Sequence, residues 1–239
     1  MRALRAVVDF LYPPRCPACR TRTPEVAFCS PCRERIRPAR SPFCTACGLP
    51  FAGGGPDHLC ATCRLHPPRF RYARAGATFD RHQPSPLVEV LARFKYARDI
   101  TLAPVLSAFL IEHLPLAPDH DLIIPIPLHP HRLRWRGFNQ ALPLAHAIGR
   151  AGERLVDPFA LVRSRSTPPQ VGLGAADRRR NVRGAFAVRH RERVRGRTIL
   201  LVDDVMTTGA TAHECARVLR RAGARAVDVV VLARALDPA

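Results

Sequence analysis

The sequence predicts an α/β fold, a parallel sheet flanked by helices, with a small cysteine-rich module in front of it. Three observations carry that prediction. Short apolar runs of the kind that form strands buried on both faces each lead into a polar turn and then a helical pattern. Four CxxC pairs crowd into residues 16–63, and none follows. The 239 residues are enough for one ordinary domain plus a small module, and 47% hydrophobic content is enough for a core.

Residues 1–14 read as a short amphipathic segment. Met1 to Tyr12 is apolar but broken by Arg2, Arg5 and Asp9, and no small-residue cleavage site follows, which argues against a signal peptide. No run approaches the roughly 18 apolar residues of a membrane span. The expectation is a cytoplasmic chain whose first helix packs on its own protein. The formal charge is +19, and Lys95 is the only lysine among 38 basic residues. That arginine bias reads partly as codon supply, yet such a charge favours polyanions, whether nucleic acid or phosphate ligands.

Residues 15–66 form the cysteine module. Cys16/Cys19, Cys29/Cys32, Cys44/Cys47 and Cys60/Cys63 are spaced so that each pair flanks a tight turn, and two such pairs complete a tetrahedral Cys₄ site. Zn²⁺ is the expected occupant, because it favours four thiolates and brings no redox chemistry. Gly48 suits the turn through which backbone N–H groups point at sulfur. Two structural zinc sites follow, paired either in sequence order or interleaved. Disulfides suit secreted chains, and a redox role would use one CxxC rather than four in tandem. His58 is better read as a solvated loop residue than as a ligand. So small a ribbon hardly has a core, and its metal holds it folded.

Residues 67–74, with Pro67, Pro68 and several arginines, read as a link to a second domain spanning 75–239. Ser85 is a plausible N-cap with Pro86 at N1, and Leu87, Val90, Leu91 and Phe94 mark an amphipathic helix ending near Tyr96 to Arg98. A second helix is expected over Ala103 to Leu114. Leu122 to Ile126 reads as a strand leading into the loop 129–140. That loop carries Arg132, Arg134, Arg136, Gly137, Asn139 and Gln140, and a helix follows over Ala141 to Arg150. Arginines, a glycine and two amides after a strand suit anion binding, although an arginine-rich surface loop is the plainer alternative. The stretch from Thr167 through Gln170 to Leu173, then Arg178 to Asn181, lacks periodicity and reads as a mobile lid-like loop. The alternating arginines from 189 to 197 read as a solvated hairpin edge. Nucleic-acid contact there is the sharper alternative, weakened by the lack of aromatics for base stacking.

Residues 199–211 are the most informative run. Ile199 to Val202 form a fully apolar strand ending in Asp203 and Asp204, whose side chains start toward opposite faces. That alternation argues against a shared-proton pair and suits acids reaching a sugar diol. Thr207, Thr208 and Thr211 supply hydroxyls, Gly209 allows positive φ, and a helix beginning near Ala210 aims free N–H groups at a phosphate. Cys215, Val218, Leu219 and Ala222 give that helix an apolar stripe. Cys215 therefore reads as a buried small hydrophobe. Gly223 stops the helix and Val227 to Leu232 resume a strand. The implied ligand is a phosphorylated ribose. A dinucleotide fold would need GxGxxG after a strand, and a Walker A loop a Gly-Lys-Ser/Thr step; neither occurs. A receiver domain begins with its Asp-Asp strand, whereas only about 35 residues remain here.

The run 199–211 resembles the phosphoribosyl-pyrophosphate (PRPP) signature of type I phosphoribosyltransferases, with Ala210 where many members carry a second glycine. Adding the double ribbon, Phe94-Lys95-Tyr96, Pro125-Ile126-Pro127, Arg136-Gly137-Phe138-Asn139-Gln140 and the Gln170…Leu173…Arg178…Asn181-Val182 series, nearly the whole chain resembles the ComF family of competence-associated proteins. The resemblance implies a type I phosphoribosyltransferase-like fold and a link to DNA uptake. It implies that Asp203 and Asp204 hold the PRPP ribose with Mg²⁺, and that Thr207, Thr208, Gly209, Ala210 and Thr211 hold its 5′-phosphate. Arg132, Arg136 and Gly137 would take the pyrophosphate, with Asn139, Gln140 and Gln170 in support. Two functions remain open. One is phosphoribosyl transfer, for which no residue set names the acceptor. The other is a zinc-ribbon adaptor that binds single-stranded DNA or a DNA-processing partner and only senses the ligand.

Overall fold

The computed structural model describes residues 13–114, 119–168 and 174–236. The expected N-terminal segment lies almost wholly outside that set, as do Gln170 and Leu173. The elements in chain order are α1 (Ser30–Glu34), β1 (Arg37–Pro38), α2 (Ala61–Leu65), β2 (Ala73–Phe79), α3 (Pro86–Tyr96), α4 (Ala103–His113), β3 (Leu122–Pro125), α5 (Pro130–Arg136), α6 (Ala141–Ala151), β4 (Leu161–Arg163), α7 (Ala175–Val182), β5 (Phe186–Val188), β6 (Thr198–Met206), α8 (Ala210–Arg221) and β7 (Ala226–Ala235).

The main sheet has the order β1-β2-β7-β6-β3. All its pairs are parallel except β1 with β2, and β4 and β5 form a separate antiparallel pair. Strands buried on both faces need apolar residues at successive positions, which β6 and β7 supply. Alternation then divides the core. Ile199, Leu201, Val229 and Val231 meet α8 on one face, while Leu200, Val202, Val230 and Leu232 meet α3, α4 and α6 on the other.

The ribbon grips the β2 edge from both sides. Cys16, Phe28, Cys32 and Ile36 join the core under α3 and α4, whereas Cys44, Ala46, Cys47 and Cys63 join the core on the α8 face. Phe28 meets Phe109 edge-on with ring centroids 6.0 Å apart, and Arg33 pairs with Glu112. On the opposite face Ala73 N donates to the Ala46 carbonyl at 2.7 Å. Gly48 sits so close to the Ala73 carbonyl that an added Cβ would stand 2.5 Å from its oxygen, and its φ is +67°.

Four expectations need correction. The expected link 67–74 runs into β2, an Ala- and Gly-rich strand that its two neighbours hold in place despite weak strand propensity. Within the expected anion loop, residues 130–136 form α5, begun by Pro130 at its first position and ended by Gly137 at φ +88°. Arg178 to Asn181 belong to α7, whose missing periodicity reflects that Arg178 and Val182, one turn apart, are its buried residues. The arginines 189–197 form no hairpin edge. They enclose a 3₁₀ turn over Arg191–Arg193, with Arg193 paired to Asp157 at 3.0 Å and Arg191 donating to the Arg221 carbonyl.

Candidate functional site

The site forms where β6 ends. Asp203 lies toward the start of α8, where burial first and the Asp203 charge second raise the Cys215 thiol, whereas Asp204 lies toward α3 with its Oδ2 2.6 Å from Lys95 Nζ. The strand terminus then folds both acids back. Asp204 N donates to Asp203 Oδ1 at 2.9 Å and Val205 N donates to Asp204 Oδ1 at 2.8 Å. The acids face opposite sides of the strand, yet each still feels the other. Burial and the charge of Asp204 push the Asp203 carboxyl well above the usual range. Burial acts on Asp204 in the same sense, but the Lys95 ammonium beside it holds its carboxyl below the usual range. One acid favours its proton and the other its charge. Asp204 is thus held on both oxygens, Oδ2 by the Lys95 ammonium and Oδ1 by the Val205 amide.

Both acids line a cleft of about 1090 Å³, whose walls also carry Arg81, Lys95, Arg132, Arg136, Arg163 and Arg178. Six cations facing two carboxylates make an electropositive hollow suited to a polyanion. Arg136 is 5% exposed, donates to Gln140 Oε1 at 2.7 Å, and retains a buried Nε without a partner. Arg163 is likewise buried with an unpartnered Nε and donates to the Thr167 hydroxyl. Burial lowers the pKa of both guanidiniums, as expected for cations held away from water.

Beyond the acids, residues 205–212 enclose a small hollow of about 50 Å³ with Asp203 and Val231. Gly209 takes φ +77° there, and the twelve-residue helix α8 starts directly after it. Arg178 Nη1 reaches the Thr207 hydroxyl at 3.1 Å, joining α7 to this turn. The structure thus brings together Asp203, Asp204, Arg132, Arg136, Gln140, Thr207 and Thr211 around one cleft, with Thr208, Gly209 and Ala210 in the adjoining hollow. Gly137 and Asn139 do not line it. Gly137 terminates α5, and Asn139 ties the loop to the strand end by donating to the Ile126 carbonyl at 3.1 Å.

Lys95, Arg81 and Arg163 escaped assignment to the site on sequence grounds. Lys95 carried a signal, being the sole lysine in an arginine-rich chain. Its compact ammonium meets Asp204 end-on where a forked guanidinium would demand more room.

The cysteines form two clusters in sequence order, Cys16/Cys19/Cys29/Cys32 and Cys44/Cys47/Cys60/Cys63, with the sulfur atoms of each within 4.8 Å of one another. Cys47 N and Cys60 N both approach Cys44 Sγ at 3.4 Å, and Cys63 N approaches Cys60 Sγ at 3.4 Å. A bond from Cys63 and, further out, the Arg234 charge lower the Cys47 thiol to about 5. Its neighbour Cys63 is driven up by the same bond and by burial. Four crowded thiols cannot all ionise unless a cation joins them, so both donor sets fit Zn²⁺.

A phosphoribosyltransferase-type sheet with a hydroxyl-lined turn, carrying a ribbon with two Cys₄ sites, defines the class of protein. Residues 7–64 match the double zinc ribbon domain and residues 141–238 the phosphoribosyl transferase domain. The chain is 34% identical to the DNA utilization protein YhgH of Salmonella typhi, over 87% of this chain and 91% of that protein. It is 31% identical to competence protein F of Haemophilus influenzae, over 87% of this chain and 96% of that protein. It is 27% identical to competence protein ComFC of Bacillus subtilis, over 84% and 80% respectively. The chain belongs to the ComF family. Among the described residues no helix is long and apolar enough to cross a membrane.

Proposed function

We propose that the chain binds PRPP or a closely related phosphoribosyl ligand with Mg²⁺ and acts in DNA utilisation as a phosphoribosyltransferase-type protein. One observation carries the reading: Asp203 and Asp204 stand at a strand end between a hydroxyl-lined turn and a cleft with six cations. The acids accept hydrogen bonds from the ribose hydroxyls. Thr207, Thr208 and Thr211, with the amides opening α8, donate to the 5′-phosphate. Arg132, Arg136 and Arg163 neutralise the pyrophosphate, and Gln140 aims Arg136. Mg²⁺ neutralises pyrophosphate and ribose oxygens when bound. Asp203 and Asp204, both lining the cleft, would hold it, since two carboxylates plus ligand oxygens are a donor set this ion takes.

Displacement at the anomeric carbon asks little of the protein beyond stabilising the departing pyrophosphate and excluding water. The buried guanidiniums do the first. Arg178, on α7 and bonded to Thr207, brings the 174–182 segment over the site for the second.

A second reading, a single-stranded DNA adaptor, draws on a different observation. Tyr96 and Trp135 are 60% and 48% exposed at the rim of the cleft, with Arg136 over the first ring and Arg98 over the second. Aromatic and guanidinium planes together suit base stacking. The names of the relatives link them to DNA utilization and competence, consistent with either reading.

Trp135 is the only tryptophan and lines the cleft, so its fluorescence reports occupancy. PRPP with Mg²⁺ is expected to change it saturably in the wild type and not in Asp203→Asn. An oligonucleotide that gives the same change in both proteins, with a steep salt dependence, would favour the adaptor.

A further inference from the structure

Arg234 lies in β7, is 3% exposed, and belongs to neither wall of the cleft. Its Nη1 donates to the Thr207 carbonyl, its Nη2 points at Cys47 Sγ from 3.7 Å, and its Nε has no partner. No carboxylate pairs with it among the described residues. A guanidinium so deeply buried needs a counter-charge, and the sulfur of the second cysteine cluster is the anionic group it touches. One divalent ion with four thiolates leaves a net charge of about −2, and a filled cluster holds that charge fixed against the guanidinium. The same rigid fork holds Thr207, where the phosphate turn begins.

The second cluster also has no slack against the sheet. The Ala46–Ala73 hydrogen bond and the close approach of Gly48 to the Ala73 carbonyl fix its position on β2, next to β7. The first cluster packs under α3 and α4 on the opposite face, away from the turn.

We propose that Arg234 is a positioning residue through which metal occupancy of the Cys44/Cys47/Cys60/Cys63 cluster sets the affinity of the 207–211 turn for phosphate. This rests on the phosphoribosyl reading of that turn. The coupling is reciprocal, so a phosphate ligand on the turn must also tighten the metal in that cluster and leave the other unchanged.

The test uses the full-length zinc-loaded protein, a chelator and iodoacetamide, with alkylation read peptide by peptide in the presence and absence of ribose 5-phosphate. Saturating ribose 5-phosphate is expected to slow alkylation of Cys44, Cys47, Cys60 and Cys63 by about fivefold or more, leaving Cys16, Cys19, Cys29 and Cys32 unaffected. Arg234→Met is expected to abolish the protection, to speed alkylation of the second set, and to weaken ribose 5-phosphate binding about tenfold. Arg234→Lys recovers part of each effect. Equal protection of both sets overturns the link, as does second-set alkylation in Arg234→Met that matches the wild type. Should Arg234→Met fail to fold, the wild-type protection pattern decides. If the wild type binds no ribose 5-phosphate, the phosphoribosyl reading falls. The Arg234 contact is then judged by second-set alkylation in Arg234→Met alone, where an unchanged rate overturns it.

Discussion

Asp203 and Asp204 share a strand end and differ in what surrounds them. Lys95 favours the charged form of Asp204, while burial beside that charge favours the protonated form of Asp203. The two shifts act oppositely on stability. Asp204, held below its ordinary range, contributes stability that is complete above a pH of about 4 and is lost as acid protonates it. Asp203, raised above that range, keeps its proton in the folded chain while the unfolded chain ionises, so it costs stability as the pH climbs from about 4 toward its raised value. Asp203→Asn is therefore expected to raise the melting temperature at neutral pH by a few degrees, on the order expected for about 1 kcal/mol in a chain this size. A thermal scan that finds it destabilised at neutral pH and not at acid pH would contradict this assignment. Ligand affinity should move the other way with pH. Asp203 accepts hydrogen bonds from a ribose best once it has lost its proton, so wild-type binding should strengthen above the ordinary carboxylate range.

At the scale of elements, the turn proposed to hold phosphate depends on Gly209, whose φ of +77° lets α8 begin directly after the hydroxyls. A Cβ at Gly209 would meet only the flexible Met206 side chain at 3.7 Å, so the cost of Gly209→Ala is backbone strain. It should amount to about 1–2 kcal/mol and loosen ribose 5-phosphate binding by roughly tenfold, read by titration. An unchanged affinity would show that the turn does not use this conformation to hold phosphate. This unit was legible in sequence because its signals are local: an apolar run, two acids, hydroxyls, a glycine and a helical stripe. The rest of the site was not, for reasons that differ by element. β2 is built from alanines and a glycine, and only pairing with distant β7 makes it a strand. α5 carried its start and stop at Pro130 and Gly137, but its arginine content masked the helix. Lys95 reaches Asp204 across more than a hundred residues, through the packing of α3 on the sheet, and no spacing rule records that approach.

Over the whole molecule, the ribbon and the sheet share their cores. One cysteine cluster lies on each face of the β2 edge, and the residues around each are continuous with the helices packed there. Removing zinc should therefore lower the melting temperature of the entire chain in one transition. Calorimetry that resolves two transitions after chelation, with the later one unchanged, would show a ribbon that folds apart from the sheet. The central claim concerns what the sheet binds, and isothermal titration of PRPP into zinc-loaded protein, with and without Mg²⁺, addresses it directly. A single saturable site that needs Mg²⁺ in the wild type and vanishes in Asp203→Asn is the predicted result. No heat of binding in the wild type, or an isotherm unaffected by Asp203→Asn, would contradict it.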